Sequence, residues 1–453
     1  MNNKEENIVE EVDFKGWKRE RISESLPEVF SSIKVPISGT FWKKLFAFAG
    51  PGLMIAVGYM DPGNWATDIA GGAKFGYTLL SIILISSIFA MILQHLSLKL
   101  GVATERDLAQ ACKDHYSKKL SMILWILSEI AIAACDLAEV IGSAIALNLL
   151  LGIPIAIGVA ITSLDVLIIL FFQYKGFRYI EALVAGLINI IFFCFAYEMI
   201  VSKPEFAVLI SGFIPQPKIV FNPGMLYIAI GILGATVMPH NLYLHSSIVQ
   251  TRDYPRTDEG KKIAIKFATI DSNVALVLAF LINAAILVVA SATFHGTGYQ
   301  DVADITDAYK LLNPVLGVSI ASFVFAIALL ASGQNSTITG TLAGQVVMEG
   351  FLNIKLKPWL RRLITRLIAI VPAFLVSIFA GEKGTTSLLI LSQVILSIQL
   401  CFAVFPLIIF TGDKKKMGIF VNKTGMKIIA WTVSIIILLL NAFLLYQTFA
   451  DIG

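Results

Sequence analysis

The chain has 453 residues, 57% of them hydrophobic and 15% charged, a balance far outside the soluble range. That composition excludes a soluble enzyme or nucleic-acid binder and marks an all-α polytopic membrane protein, lodged in a lipid bilayer. The formal net charge of +4 says little until the charges are placed along the chain.

Residues 1–40 are polar and of mixed charge and lack the apolar core of a signal peptide, so they read as a cytoplasmic tail with room for a surface-lying amphipathic piece. Apolar spans are predicted at roughly 45–72, 77–99, 119–147, 153–173, 179–201, 224–250, 267–294, 315–348, 363–380, 385–411 and 426–449. With the N-terminus inside, strict alternation puts only Lys74, Lys203, Lys218, Lys310 and Lys383 outside, leaving thirty of the 35 Lys and Arg in cytoplasmic segments. That bias fits the positive-inside rule and leaves the C-terminus extracellular in the plasma membrane. Four scattered cysteines, Cys112, Cys135, Cys194 and Cys401, form no C-x-x-C pair, which argues against a thiolate metal site or a disulfide framework.

The first and sixth spans are interrupted near their centres, at Asp61-Pro62-Gly63-Asn64 and at Met238-Pro239-His240-Asn241. Proline removes a backbone donor and obstructs the carbonyl one turn earlier, so each span is expected to unwind into two half-helices. A carboxylate and irregular backbone at membrane depth are tolerable only around a cavity or an ion. Pro62 and Pro239 lie 177 residues apart, each at the head of a five-span unit. That pattern is the mark of an inverted-repeat transporter. The expected division is a tail at 1–44, a first five-helix repeat at 45–201, an extracellular connection at 202–223, a second repeat at 224–411, and a cytoplasmic loop with an eleventh helix at 412–453.

These two motifs resemble the paired signatures of the Nramp family of divalent metal transporters. The resemblance extends through Asp136-Leu137-Ala138-Glu139, Gly333-Gln334-Asn335-Ser336-Thr337 and Ser392-Gln393, and covers most of residues 45–450. It implies the 5+5 inverted-repeat fold of the leucine-type (LeuT) transporters, with helices 1 and 6 broken at the midplane. It also implies proton-coupled import of Mn²⁺, Fe²⁺ and similar ions, with the metal as substrate and no permanently bound cofactor.

The chemistry of the residues agrees. Asp61 offers a hard anionic oxygen, Asn64 a neutral one, and Met238 a thioether, which favours transition metals and gives Mg²⁺ or Ca²⁺ almost nothing. Gly58 and Ala235 stand three residues before Asp61 and Met238, in the last turn of each first half-helix, where carbonyls lack helical partners and can serve as oxygen ligands. The converging half-helix C-termini present negative dipole ends suited to a cation. The family also uses a glutamine of span ten, which maps to Gln393; Gln399 is the weaker match.

Glu129, Asp136 and Glu139 lie at offsets of seven and three on one face of span three, covering about 15 Å at the 1.5 Å rise per residue. Such a stripe reads as a proton relay. His240 joins it because its ordinary pKa suits proton exchange at working pH. Arg361, Arg362 and Arg366 open span nine and offer partners for the stripe or act as membrane anchors, and the family's adjacent arginine pair favours Arg361 and Arg362. His245 and Asp271 are weaker candidates, while Asp68, Asp165, Glu181 and Glu198 read as lining crevices or lying near span ends.

Other readings are a Mg²⁺ transporter on the same scaffold, a Na⁺-coupled amino-acid symporter, a cation channel and a membrane metalloenzyme. Met238 argues against the first and Asp61 against the second, since an amino-acid carboxylate would meet an anion there. No filter symmetry, H-E-x-x-H or phosphate loop supports a channel, a zinc enzyme or direct ATP use. No obligate protein partner is indicated.

Overall fold

Two prolines set the geometry at the centre of the molecule. In this computed structural model, which describes residues 16–21, 24–26, 28–36, 39–164, 176–299, 305–318, 320–354, 358–379 and 381–450, the first span is helix α2 (Pro51–Gly58) followed by helix α3 (Pro62–Phe75). The sixth is α9 (Pro223–Thr236) followed by α10 (Pro239–Ile248). Pro62 and Pro239 are each the first residue of a second half-helix, with Asp61 and Met238 in extended N-cap conformation. Proline at that position costs nothing, because its missing N–H would have no helical acceptor and its ring fixes the φ a helix needs. The breaks are therefore clean helix starts rather than kinks.

The other principal helices are α1 (Phe41–Phe48), α4 (Leu80–Thr104), α5 (Leu108–His115), α6 (Lys118–Leu151), α7 (Ile155–Ile161), α8 (Phe177–Ser202), α11 (Asp258–Phe294), α12 (Ile305–Leu316), α13 (Ala321–Leu352), α14 (Pro358–Phe379), α15 (Gly381–Gly412) and α16 (Thr424–Ala450). Eight helical stretches among the described residues are long and apolar enough to cross a membrane. Of the predicted fourth span, the structure describes α7 and a 3₁₀ turn at Thr162–Leu164; residues 165–173, with Asp165, lie outside the described residues. α11 has 37 residues, about 55 Å at 1.5 Å per residue, so it projects well beyond a ~30 Å hydrocarbon core. The helix edges carry rows of exposed large apolar side chains, among them Ile123, Ile126 and Ile130 of α6 and Leu367, Val371 and Leu375 of α14. In water such rows would drive aggregation; against lipid they are the expected surface.

The span boundaries differ from the sequence expectation at the start. The first span does not run from 45: α1 ends at Phe48, and α2 begins at Pro51 after Gly50, whose φ of 138° favours glycine. A short helix with exposed apolar side chains, α1, lies just beyond the 1–40 stretch in which an amphipathic piece is expected, with Phe41, Trp42 and Phe46 exposed. Part of the tail is stitched to the bundle. Strand β1 (Ile33–Lys34) pairs in parallel with β2 (Arg252–Asp253), just beyond α10. Ser25 donates to the buried Asp107 carboxylate, which also receives the Gln110 N–H in a capping box at α5. Burial pushes the Asp107 carboxyl up to about 6 despite these bonds.

Asp271 and Glu181, which the sequence left as minor candidates, organise the start of α2. The Asp271 carboxylate of α11 accepts the N–H groups of Gly50 (3.4 Å) and Gly52 (2.7 Å), supplying across the bundle the cap that Gly50 lacks. Arg252 is fully buried, 2.6 Å from Glu181 of α8, and donates to the Ala49 carbonyl at 3.0 Å. Arg178 contacts the same carboxylate and the same carbonyl. Removing Arg252 leaves the buried Glu181 carboxylate to the largely exposed Arg178, a loss expected to approach the ~3–5 kcal/mol of a broken buried pair. Arg252→Met is expected to lower the thermal unfolding midpoint sharply. The double change Arg252→Met with Glu181→Leu should recover part of that loss, and equal melting of single and double variants would show that the pair is not coupled.

Candidate functional site

The two breaks face each other. The side of α2 at Gly58 is in close approach to the Asn241 amide of α10, and Gly63 at the start of α3 is in close approach to the Gln393 amide of α15. A methyl group at either position would take the space of those amides and force the Asn241 or Gln393 side chain to turn away from the break. Asp61, Asn64, Ala235, Met238, His240, Asn241 and Gln393 are all at most 2% exposed, so these side chains are shielded from solvent. The Arg252–Glu181 cluster lies at the start of α2 and the stitched tail just beyond α10. α12 packs against α3.

Asp61 has two distinct oxygens. Its Oδ1 accepts the Asn64 N–H at 2.9 Å and caps α3, while Oδ2 has no hydrogen-bond partner among the described residues. The N-terminal end of α3 stabilises the anion, and the second oxygen stays available. Asn64 Oδ1, Gln393 Oε1, His240 Nδ1 and both polar atoms of the Asn241 amide are likewise buried without partners among the described residues. Unsatisfied polar atoms at such density are costly, each about 1–3 kcal/mol, and they cluster where a polar ligand would repay the cost.

Met238 is buried against Ala131, Ala134 and Cys135 of α6 and Leu396 of α15. Cys135 in turn lies within the field of Asp61, Asp136 and Glu139. The thioether therefore lies beside the carboxylate region with its outer side packed on apolar groups.

Two carbonyls of the first break are taken up by side chains of other helices. Asn283 of α11 donates to the Tyr59 carbonyl at 2.7 Å, and Ser332 of α13 donates to the Met60 carbonyl at 2.5 Å. Gln94 of α4 donates to the Tyr59 hydroxyl at 2.7 Å, and His245 Nδ1 of α10 lies 2.8 Å from the Gln94 carbonyl oxygen. Tyr59, Gln94, Cys135, Asn283 and Ser332 escaped the sequence reading. The available signal was a mid-span Gln or Asn, which in a bilayer has to find a partner.

Along α6 the three acids do form one line, graded in burial. Glu129 is half-buried and accepts the Trp125 N–H at 3.0 Å. Asp136 and Glu139 are buried, with Gly340 of α13 facing both carboxylates. Glu139 accepts from Thr337 at 3.1 Å. Gly142 sits against Pro62, so the line reaches the first break. The side chains of Arg361, Arg362 and Arg366 lie outside the described residues. His95 contacts Thr269 and His295 the Ala73 carbonyl, and neither joins the centre.

Comparison with known proteins follows the same lines. The Nramp family model, described as natural resistance-associated macrophage protein-like, matches residues 52–447. The divalent metal cation transporter MntH of Listeria monocytogenes serotype 4a (strain HCC23) is 63% identical over 436 residues, covering 96% of this chain and 97% of that protein. The crystal structure of the Eremococcus coleocola manganese transporter in complex with an aromatic bis-isothiourea substituted compound superposes with a TM-score of 0.85 at 44% identity, covering 92% of this chain and 90% of that one. Mhp1, a nucleobase-cation-symport-1 family transporter, matches with a TM-score of 0.57 at 15% identity over 88% of this chain and 89% of that one, a likeness of fold alone.

Proposed function

The chain belongs to the Nramp family, as a multi-pass membrane protein of the LeuT-type fold, and on that premise we propose that it imports divalent transition-metal ions together with protons. Mn²⁺ and Fe²⁺ are the expected cargo, with Cd²⁺ and Co²⁺ accepted, and the chain is a transporter, not an enzyme. The observation that carries this reading is the half-used Asp61 carboxylate: one oxygen caps α3 and the other, with Asn64 Oδ1, is left buried and without a partner among the described residues.

In the proposed cycle the metal is held by Asp61, Asn64, Met238, Gln393 and the backbone carbonyls of Gly58 and Ala235. The buried amides and carbonyls replace part of its water shell, and the sulfur favours softer ions. α2/α3 and α9/α10 rearrange around this point to open the centre to one face at a time, with the N-terminus cytoplasmic and the C-terminus extracellular. The repeats at 45–201 and 224–411 are the units that move against each other. The clamp of Asp271, Arg252 and Glu181 on the start of α2 holds the cytoplasmic side shut. Protons leave Asp61 by way of His240, Glu139, Asp136 and Glu129, with Arg361 and Arg362 as cationic partners.

The deciding experiment is Mn²⁺ uptake into proteoliposomes, with and without an inward proton gradient, competed by Cd²⁺, Mg²⁺ and Ca²⁺. Gradient-stimulated uptake blocked by Cd²⁺ and indifferent to Ca²⁺ is expected; uptake with no response to the gradient would remove the proton coupling. Asp136→Asn and His240→Ala are expected to keep metal affinity within a few-fold while reducing metal-linked proton flux severalfold. Parallel loss of both in calorimetry and pH-dye assays would make these residues ligands or structural supports instead.

A further inference from the structure

Besides its N-cap Asp61, α3 carries a second acid that the central site does not use. Asp68 is 1% exposed, and neither of its carboxylate oxygens has a hydrogen-bond partner among the described residues. No ion pair of the described residues includes it, and Asp61 is the charged group whose field reaches it. A buried carboxylate in the field of another carboxylate is among the more expensive arrangements a membrane protein can hold.

Its placement accounts for that cost. Asp61, Asn64 and Asp68 stand at offsets of three and seven along one helix, which puts them on one face. Asp68 is about 10 Å beyond Asp61 at the 1.5 Å rise, on the side where α3 runs toward Phe75 and the packed α12. Asn64 lies between them. Asp61 Oδ2, Asn64 Oδ1 and both Asp68 oxygens thus form a ladder of buried, unpartnered acceptors up one face of α3. Aromatic packing of Trp65 against Phe195 of α8 and Phe325 of α13 fixes the neighbouring face, so the ladder is not free to rotate.

We propose that Asp68 is a second cation station, which holds a partly hydrated divalent metal ion on the extracellular side of the centre and hands it along Asn64 to Asp61. This rests on the metal-import reading given above. The two carboxylates are too far apart to share one ion, so a metal at Asp68 occupies a stage before the dehydrated one. Its ligands there are the carboxylate and retained water, which suits capture of any divalent ion and leaves selection to the centre.

The test uses the full chain, with Mn²⁺ as probe. Asp68→Asn keeps side-chain shape and removes the charge; it is expected to raise the KM for Mn²⁺ uptake about tenfold with little change in maximal rate, and Asp68→Glu should restore most of the loss. Asp61→Asn is expected to abolish high-affinity binding in calorimetry, yet a weak Mn²⁺ site should persist in the electron paramagnetic resonance spectrum and vanish in Asp61→Asn/Asp68→Asn. If Asp61→Asn binds Mn²⁺ normally, the central-site reading itself fails. If Asp61→Asn loses binding while Asp68→Asn keeps the wild-type KM, or if no residual site depends on Asp68, the station is overturned. A drop in proton flux or maximal rate alone would likewise overturn it, making Asp68 a proton carrier or a packing group.

Discussion

Replacing Asp61 with alanine is expected to abolish Mn²⁺ uptake and to weaken Mn²⁺ binding about ten- to a hundredfold. The carboxylate is the one anion that the two breaks supply, and the remaining donors there are neutral amides, carbonyls and a thioether. Loss of a charge-assisted contact is worth about 1.5–3 kcal/mol, which at ~1.4 kcal/mol per decade of affinity sets that scale. The structure adds a complication, because Asp61 is also the N-cap of α3. Alanine therefore removes a cap worth about 1 kcal/mol along with the ligand. Asparagine is as good an N-cap as aspartate, so Asp61→Asn retains the helix start and isolates the charge. Calorimetry on both variants should show equal loss of Mn²⁺ affinity, with a lower melting temperature only for alanine. Wild-type affinity in Asp61→Asn would place the binding site elsewhere.

What the sequence could and could not reveal follows from the range of each signal. The breaks at Pro62 and Pro239 were legible because proline acts locally, on its own φ and on the carbonyl of the preceding turn. The line of Glu129, Asp136 and Glu139 was legible because a helix fixes which residues share a face. The capping of α2 by Asp271 was not, since that carboxylate comes from a helix more than 200 residues further on and carries no local pattern. The same holds for Asn283 and Ser332, which satisfy the Tyr59 and Met60 carbonyls from α11 and α13. Irregular backbone at membrane depth announces that donors must exist somewhere, but which Asn or Ser provides them is decided by tertiary packing. Asp68 was read as lining a crevice or lying near a span end for the same reason, because neither its burial nor its lack of partners among the described residues is visible in one dimension.

Selectivity is expected to hang on the sulfur of Met238, and Met238→Ala should shift the Cd²⁺-to-Ca²⁺ ratio of inhibition constants for Mn²⁺ uptake about tenfold or more toward Ca²⁺. A thioether contributes most to Cd²⁺, less to Mn²⁺ and Fe²⁺, and almost nothing to Ca²⁺ or Mg²⁺. A hard cation entering this centre must surrender tightly held water and meets a sulfur that cannot replace it. The packing around the residue sharpens the expectation. Met238 is the N-cap of α10 but makes no side-chain capping bond, so alanine costs that helix nothing in hydrogen bonding. It is walled by Ala131, Ala134, Cys135 and Leu396, so truncation opens a small space in which, at the proposed site, an incoming hard ion can keep a water molecule. Overall stability should fall by about 2–5 kcal/mol, the usual range for a buried Met→Ala change. That loss is separable from selectivity, because a packing defect alone lowers uptake of every ion together and leaves the ratio unchanged. Inhibition constants for Cd²⁺ and Ca²⁺, measured side by side in wild-type and Met238→Ala proteoliposomes, therefore decide the point. A constant ratio would assign Met238 to packing and transfer selectivity to the oxygen ligands Asp61, Asn64 and Gln393.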